Sequence, residues 1–187
     1  MSWRSQKRKR PVVYSPARPV KYRMRSGVNS RFDRVLSRPL ATTSESIISF
    51  KRPESVLVLI YTNDKDILLI ERADIPGFWQ SVTGSLEAGE APIDTAVREL
   101  KEETGLVAHP VDLQKTVTYT IKPAWRKRFA PGVTQNTEHW FSVVLPEPVD
   151  VELDANEHTA SIWLPVEQAL AKCSSRSNRA AIEEFIQ

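Results

Sequence analysis

Residues 84–106 read Gly84-Ser85-Leu86-Glu87-Ala88-Gly89-Glu90-Ala91-Pro92-Ile93-Asp94-Thr95-Ala96-Val97-Arg98-Glu99-Leu100-Lys101-Glu102-Glu103-Thr104-Gly105-Leu106. The pattern predicts a helix over Ala91 to Thr104. Pro92 suits the first turn, where its missing N–H costs nothing, and Gly105 stands where a left-handed residue closes a helix. Side chains four apart share a helix face, so Glu99 and Glu103 project together, with Glu102 adjacent to both. Like charges at that spacing repel. A hard divalent cation such as Mg²⁺ relieves the repulsion, because it takes carboxylate oxygens and keeps waters for the rest of its shell. Arg98 is placed to pair with one acid and hold it in position. Gly84 and Gly89 let the preceding loop fold tightly and approach a ligand closely. For the glutamates taken alone, a solvated acidic helix face is the plainer account.

On either side lie β-rich runs. Val56 to Tyr61 and Ile67 to Ile70 flank Thr62-Asn63-Asp64-Lys65-Asp66, a hairpin signal. Trp79 to Val82, Gln114 to Ile121, His139 to Leu145 and Ser161 to Leu164 read as further strands. Pro165 to Ala171 and Ser177 to Ile186 read as helices. Strands surrounding two or three helices imply a layered α/β domain.

Charge divides the chain. Residues 1–52 hold 14 lysines and arginines against 2 acids, whereas residues 53–187 hold 12 against 21. The net charge of +3 and the pI near 9.1 therefore come from the N-terminal part. Residues 1–45, with Pro11, Pro16, Pro19, Pro39 and no sustained hydrophobic period, are expected to form a disordered basic extension to a domain spanning 46–187. A solvated tail, a basic arm for nucleic acid or anionic lipid, and an acid-poor transit peptide all fit that composition. The longest apolar run, Val56 to Tyr61, is too short to span a bilayer, and no secretory signal is expected. A lone cysteine, Cys173, fits a reducing compartment, so a cytoplasmic location is expected. His109, His139 and His158 show no zinc spacing with it.

The full spacing from Gly84 to Leu106 resembles the signature of the Nudix hydrolases, which fixes residue types across these 23 positions. That resemblance implies an α/β/α sandwich with a mixed β-sheet and a loop–helix–loop that binds Mg²⁺, with Mn²⁺ as a substitute. It also implies hydrolysis of a nucleoside-diphosphate-like linkage by water attack on phosphorus. The flanks Phe78-Trp79-Gln80-Ser81-Val82-Thr83-Gly84, Ala130 to Phe141, Lys51-Arg52-Pro53 and Ser177-Asn178-Arg179 are similar to the dihydroneopterin triphosphate branch of that family, which serves folate synthesis. Arg176 departs from it, standing where an aromatic is expected.

By this resemblance Arg98, Glu99, Glu102 and Glu103 carry catalysis, and Glu99, Glu103 and Glu157 are the metal ligands. Lys51, Arg72, Thr83, Tyr119, Thr120, Ile121, Lys122 and Ser175 match substrate contacts. Trp125 to Phe129 mixes aromatics with cations, which suits either a flat heterocycle bearing phosphates or a solvated basic loop. The implied substrate is a small pterin triphosphate, cleaved to a monophosphate and pyrophosphate. Two alternatives share the chemistry: cleavage of dATP or an oxidised nucleotide, and an RNA-associated protein that uses the basic arm. No membrane partner is expected, and nucleic acid only through that arm.

Overall fold

The computed structural model describes residues 50–186. The expected basic extension lies outside them. Strand β1 (Glu54–Thr62) organises the domain, and its apolar residues are divided between two cores. Val56, Val58 and Ile60 pack with Leu68, Ile70, Val82, Ala96, Leu100 and Phe141. Leu57 and Leu59 pack with Ile67, Leu69, Trp140, Ala169, Cys173 and Ile182. Because side chains alternate across a strand, a run that is apolar at both parities must be covered on both faces. Helix α1 (Pro92–Thr104) covers the first face, while α2 (Val166–Lys172) and α3 (Arg176–Phe185) cover the second. Each fully buried Leu, Ile or Phe side chain contributes about 1.5–3 kcal/mol relative to exposure. The expected sandwich is thus what the structure shows.

The sheet is mixed. β1 runs parallel to β6 (Gln135–Leu145) along its whole length, from Glu54 beside Thr137 to Thr62 beside Leu145. β5 (Val111–Thr120) pairs antiparallel with β6 at the edge. β2 (Asp66–Arg72) pairs antiparallel with β7 (His158–Pro165).

β1 and β2 leave their hairpin paired only at Tyr61 and Ile67, and then part. Two short strands fill the opening: β3 (Trp79–Gln80) joins β2, and β4 (Val82–Ser85) joins β1. The single strand expected over Trp79 to Val82 is therefore two, broken at Ser81. One strand cannot pair with two diverging partners. At the break the Ser81 amide donates to the buried Asn178 Oδ1 at 2.6 Å, a bond across 97 residues from α3.

Other bounds differ from expectation at the ends. β5 starts at Val111 because its register shifts between Asp112 and Lys115, where Gln114 takes a φ of 53°. β6 begins at Gln135, ahead of its apolar run. A 3₁₀ turn, Pro123–Arg128, forms where no element was predicted. Helix α1 ends as its sequence predicts, with Gly105 at φ 69° and its amide donating to the Lys101 carbonyl at 2.9 Å.

Candidate active site

The split between β1 and β2 opens on a cavity of about 950 Å³. At one end stands the acidic face of α1. Gly84 pairs with Val56, so a side chain there would point toward the α1 layer, and the carboxyl of Glu99 fills that space. A methyl group at Gly84 would coincide with it. The close approach explains why the loop has glycine at this position.

Arg98 locks the acids. It binds Glu90 through two parallel bonds, Nε to Oε1 at 2.8 Å and Nη2 to Oε2 at 2.9 Å. Its Nη1 reaches Glu99 at 2.7 Å and Glu102 at 3.0 Å, and Nη2 also donates to the Ser85 carbonyl at 3.2 Å. Bonding to Arg98 holds the Glu90 carboxyl down to about 2. Glu99 behaves in the opposite way: burial first, then the charge of Glu103, push it up to about 7 despite Arg98. Glu103 is buried, 3% exposed, and burial likewise raises its carboxyl. Its Oε2 accepts the Thr83 amide at 3.3 Å.

His158 completes this end. Glu71 and Arg72 of β2 pair with Ala160 and His158 of β7, and that register carries the buried imidazole against Glu103, with Nε2 3.4 Å from Oε2. The contact lies at the limit of distance and short of hydrogen-bond geometry. Neither ring nitrogen has a hydrogen-bond partner among the described residues. Ligand atoms of Glu103, Glu157 and His158 lie within 4.8 Å of one another. Buried carboxylates that resist ionisation beside an unpartnered imidazole fit a divalent cation, which would favour the charged forms and use the free nitrogen.

The structure brings together some of the sequence-predicted residues and separates others. Glu99, Glu157, Lys51, Arg72, Thr83, Tyr119, Thr120, Lys122 and Ser175 line the cavity. Glu103 stands beneath it, bonded to the loop at Thr83. Glu102 points out to solvent and serves only Arg98. Ile121 does not reach the cavity: it is 2% exposed, its amide donates to the Thr134 carbonyl, and its own carbonyl accepts Arg126 Nε. Among the described residues Glu99 is not in the three-residue ligand cluster, and His158 is, in contrast to the expected set.

The far end is aromatic and cationic. Phe78, Trp125 and Phe129 line it with Lys51, Lys122, Arg128 and Arg176, while Arg72, paired on β2 with His158, stands between this wall and the carboxylate cluster. Arg72 makes two 2.8 Å bonds to Asp74, which raise its already high pKa, and lies 6.0 Å from the Trp125 ring centre. Lys122 Nζ stands 5.0 Å from that ring and 5.5 Å from the ring of Phe78. Asp74 and His158 carry no local motif, and Phe78 reads only as the first residue of a flank; the tertiary pairing of β2 with β3 and β7 places them here.

Residues 51–185 match the model of the NUDIX domain. The chain belongs to the NUDIX family. It is 47% identical over 143 residues to the dihydroneopterin triphosphate diphosphatase of Escherichia coli (strain K12), covering 73% of this chain and 94% of that one. The Haemophilus influenzae protein of the same name is 35% identical over 150 residues, with coverage of 77% and 94%. The solved structure of the E. coli dihydroneopterin triphosphate pyrophosphohydrolase superposes with a TM-score of 0.69 at 45% identity, covering 73% of this chain and 97% of that one. Among the described residues no helix is long and apolar enough to cross a membrane.

Proposed function

We propose that this Nudix hydrolase cleaves 7,8-dihydroneopterin triphosphate with water to give dihydroneopterin monophosphate and pyrophosphate, a step of folate synthesis, with Mg²⁺ as its ion. One observation carries the reading: a single cavity is lined both by acids of the carboxylate cluster, Glu99 and Glu157, and by an aromatic, cation-rich wall. Identity of 47% with a protein named for that substrate supports it.

Glu103, Glu157 and His158, with Glu99 beside them, would hold the ion, which supplies charge neutralisation at phosphorus and a water of lowered pKa. Arg98 bridges Glu99 to Glu90 and Glu102 and so fixes the helix face that presents Glu99. Lys51, Arg72, Lys122 and Arg128 supply fixed positive charge to the phosphate chain, and Asp74 holds the Arg72 fork in one orientation. A carboxylate of the cluster takes the proton of the attacking water. Phe78 and Trp125 offer faces for a flat heterocycle. The Arg176 guanidinium lies on the cavity where the branch resemblance led us to expect an aromatic, adding a planar cation there. The enzyme would act in the cytoplasm, and any nucleic-acid contact would come from the basic residues 1–45.

Incubation of the full chain with Mg²⁺ and dihydroneopterin triphosphate should release pyrophosphate, with kcat/KM at least about tenfold above that for dATP, a discrimination of ~1.4 kcal/mol. Orthophosphate as sole product would remove the proposed bond choice. Equal or faster turnover of dATP would transfer the assignment to nucleotide cleaning.

A further inference from the structure

Glu138 is a buried acid for which neither the fold nor the phosphate chemistry has a use. It sits on β6 at 3% exposure and lines the cavity. Trp140 Nε1 donates to its Oε1 at 3.0 Å, and the Ser177 hydroxyl lies beside it. No ion pair to Glu138 forms among the described residues. Burying a carboxylate without a cation is costly, and a leucine would fill this strand position without that penalty. The group is therefore explained by something that enters the cavity.

Its place across the sheet indicates what that is. Glu138 pairs with Ser55 of β1, and Ser55 pairs on its other side with Ser85 of β4. Glu138 thus stands two strand spacings, about 10 Å, from the loop where Gly84 meets Glu99. A molecule with its phosphates at the α1 end lays its heterocycle near Glu138, against Tyr119 and Asn136, which also line this wall. Asn136 Nδ2 is committed to Ser55 Oγ at 2.7 Å, which leaves Asn136 one acceptor oxygen, whereas the Glu138 carboxylate offers a pair. A carboxylate matches an edge with two adjacent N–H donors. The 2-amino-4-oxopyrimidine ring of a pterin has that edge, in its ring N–H and its 2-amino group, and guanine has the same one. Adenine sets an amino group beside an acceptor nitrogen and leaves one carboxylate oxygen facing a lone pair.

Resting on the pterin triphosphate reading above, we infer that Glu138 is the specificity-determining residue of this site, selecting triphosphates whose heterocycle carries the 2-amino-oxo donor edge. Burial raises the free carboxyl, and two matched donors offset this by favouring its charged form.

Glu138→Gln keeps the volume and an acceptor for Trp140 but turns one acceptor into a donor. We expect kcat/KM for dihydroneopterin triphosphate and for dGTP to fall at least about tenfold through KM, with dATP changed less than about threefold. A uniform fall on all three substrates, or no fall on any, overturns the assignment. A second arm needs no variant. A phosphate-free 2-amino-4-oxopteridine should inhibit the wild-type enzyme at least about tenfold better than its 2,4-dioxo counterpart, which lacks the amino donor. Equal inhibition overturns the assignment whether or not Glu138→Gln folds. If the wild type fails to cleave dihydroneopterin triphosphate, the reaction reading falls, while the dGTP-to-dATP ratio and its collapse in Glu138→Gln still decide the role of Glu138.

Discussion

The two ends of the cavity are built differently. At the α1 end, Arg98, Glu99 and Glu103 come from one helix and are spaced by its turns, and Arg98 ties Glu99 to Glu90 of the loop before it. At the other end, Phe78, Trp125, Glu138 and Ser177 come from four separate segments. An interlocked set loses its function when any member moves. A wall of single contributions can exchange one member and retain the rest. The first end thus suits chemistry common to many phosphate substrates, and the second suits choosing among them.

The comparison is tested first at its rigid end. Glu103→Gln preserves shape and removes one charge from the ligand cluster, so kcat should fall at least about a hundredfold, the scale on which electrostatic stabilisation of a transition state is lost. Near-normal turnover at saturating Mg²⁺ would show that this end is not where the chemistry occurs. Gly84→Ala should cost less, about tenfold or more in kcat, with the circular-dichroism spectrum preserved. The methyl group displaces the end of a flexible side chain and leaves the backbone in place. Turnover within twofold of wild type would mean that Glu99 works equally well elsewhere.

The smallest effect expected is thermodynamic. Glu99 sits at about 7 in the folded chain against 4.5 for a free glutamate, so the native state keeps a proton that the unfolded state releases. With the metal chelated, stability should therefore decline as pH rises from about 4.5 to about 7, lowering Tm by a few degrees. Glu90, held down to about 2, contributes a change of opposite sign only below 4.5, outside this window. Mg²⁺ should reverse the decline, and Glu99→Gln should make it shallower, leaving the part that buried Glu103 and Glu138 contribute. A chelated protein whose Tm rises across that interval would contradict the like-charge account of the cluster.

The same contrast explains what the sequence reveals. Glu99, Glu103, Arg98 and Gly105 are legible because helix geometry turns their spacing directly into proximity. His158 is not, since its approach to Glu103 depends on the register of β7 against β2, to which no local pattern refers. Glu138 lies in a polar opening of β6 that precedes the apolar run, so the strand reads from His139 and its buried acid goes unnoticed. A contiguous set over Tyr119 to Lys122 overlooks the turn of the chain at the strand end, which ties Ile121 down by both its amide and its carbonyl. The break at Ser81 has no signature in its own neighbourhood, because the group that satisfies its amide is 97 residues away.

That last bond also sets an order of events. During synthesis, at roughly 5–20 residues per second, the strands and the acidic helix emerge well before Asn178 exists. The turn between Gln80 and Val82 has no fixed partner until α3 docks. The nascent chain therefore carries Glu99 and Glu103 some seconds before the bond that fixes the break at Ser81 can form.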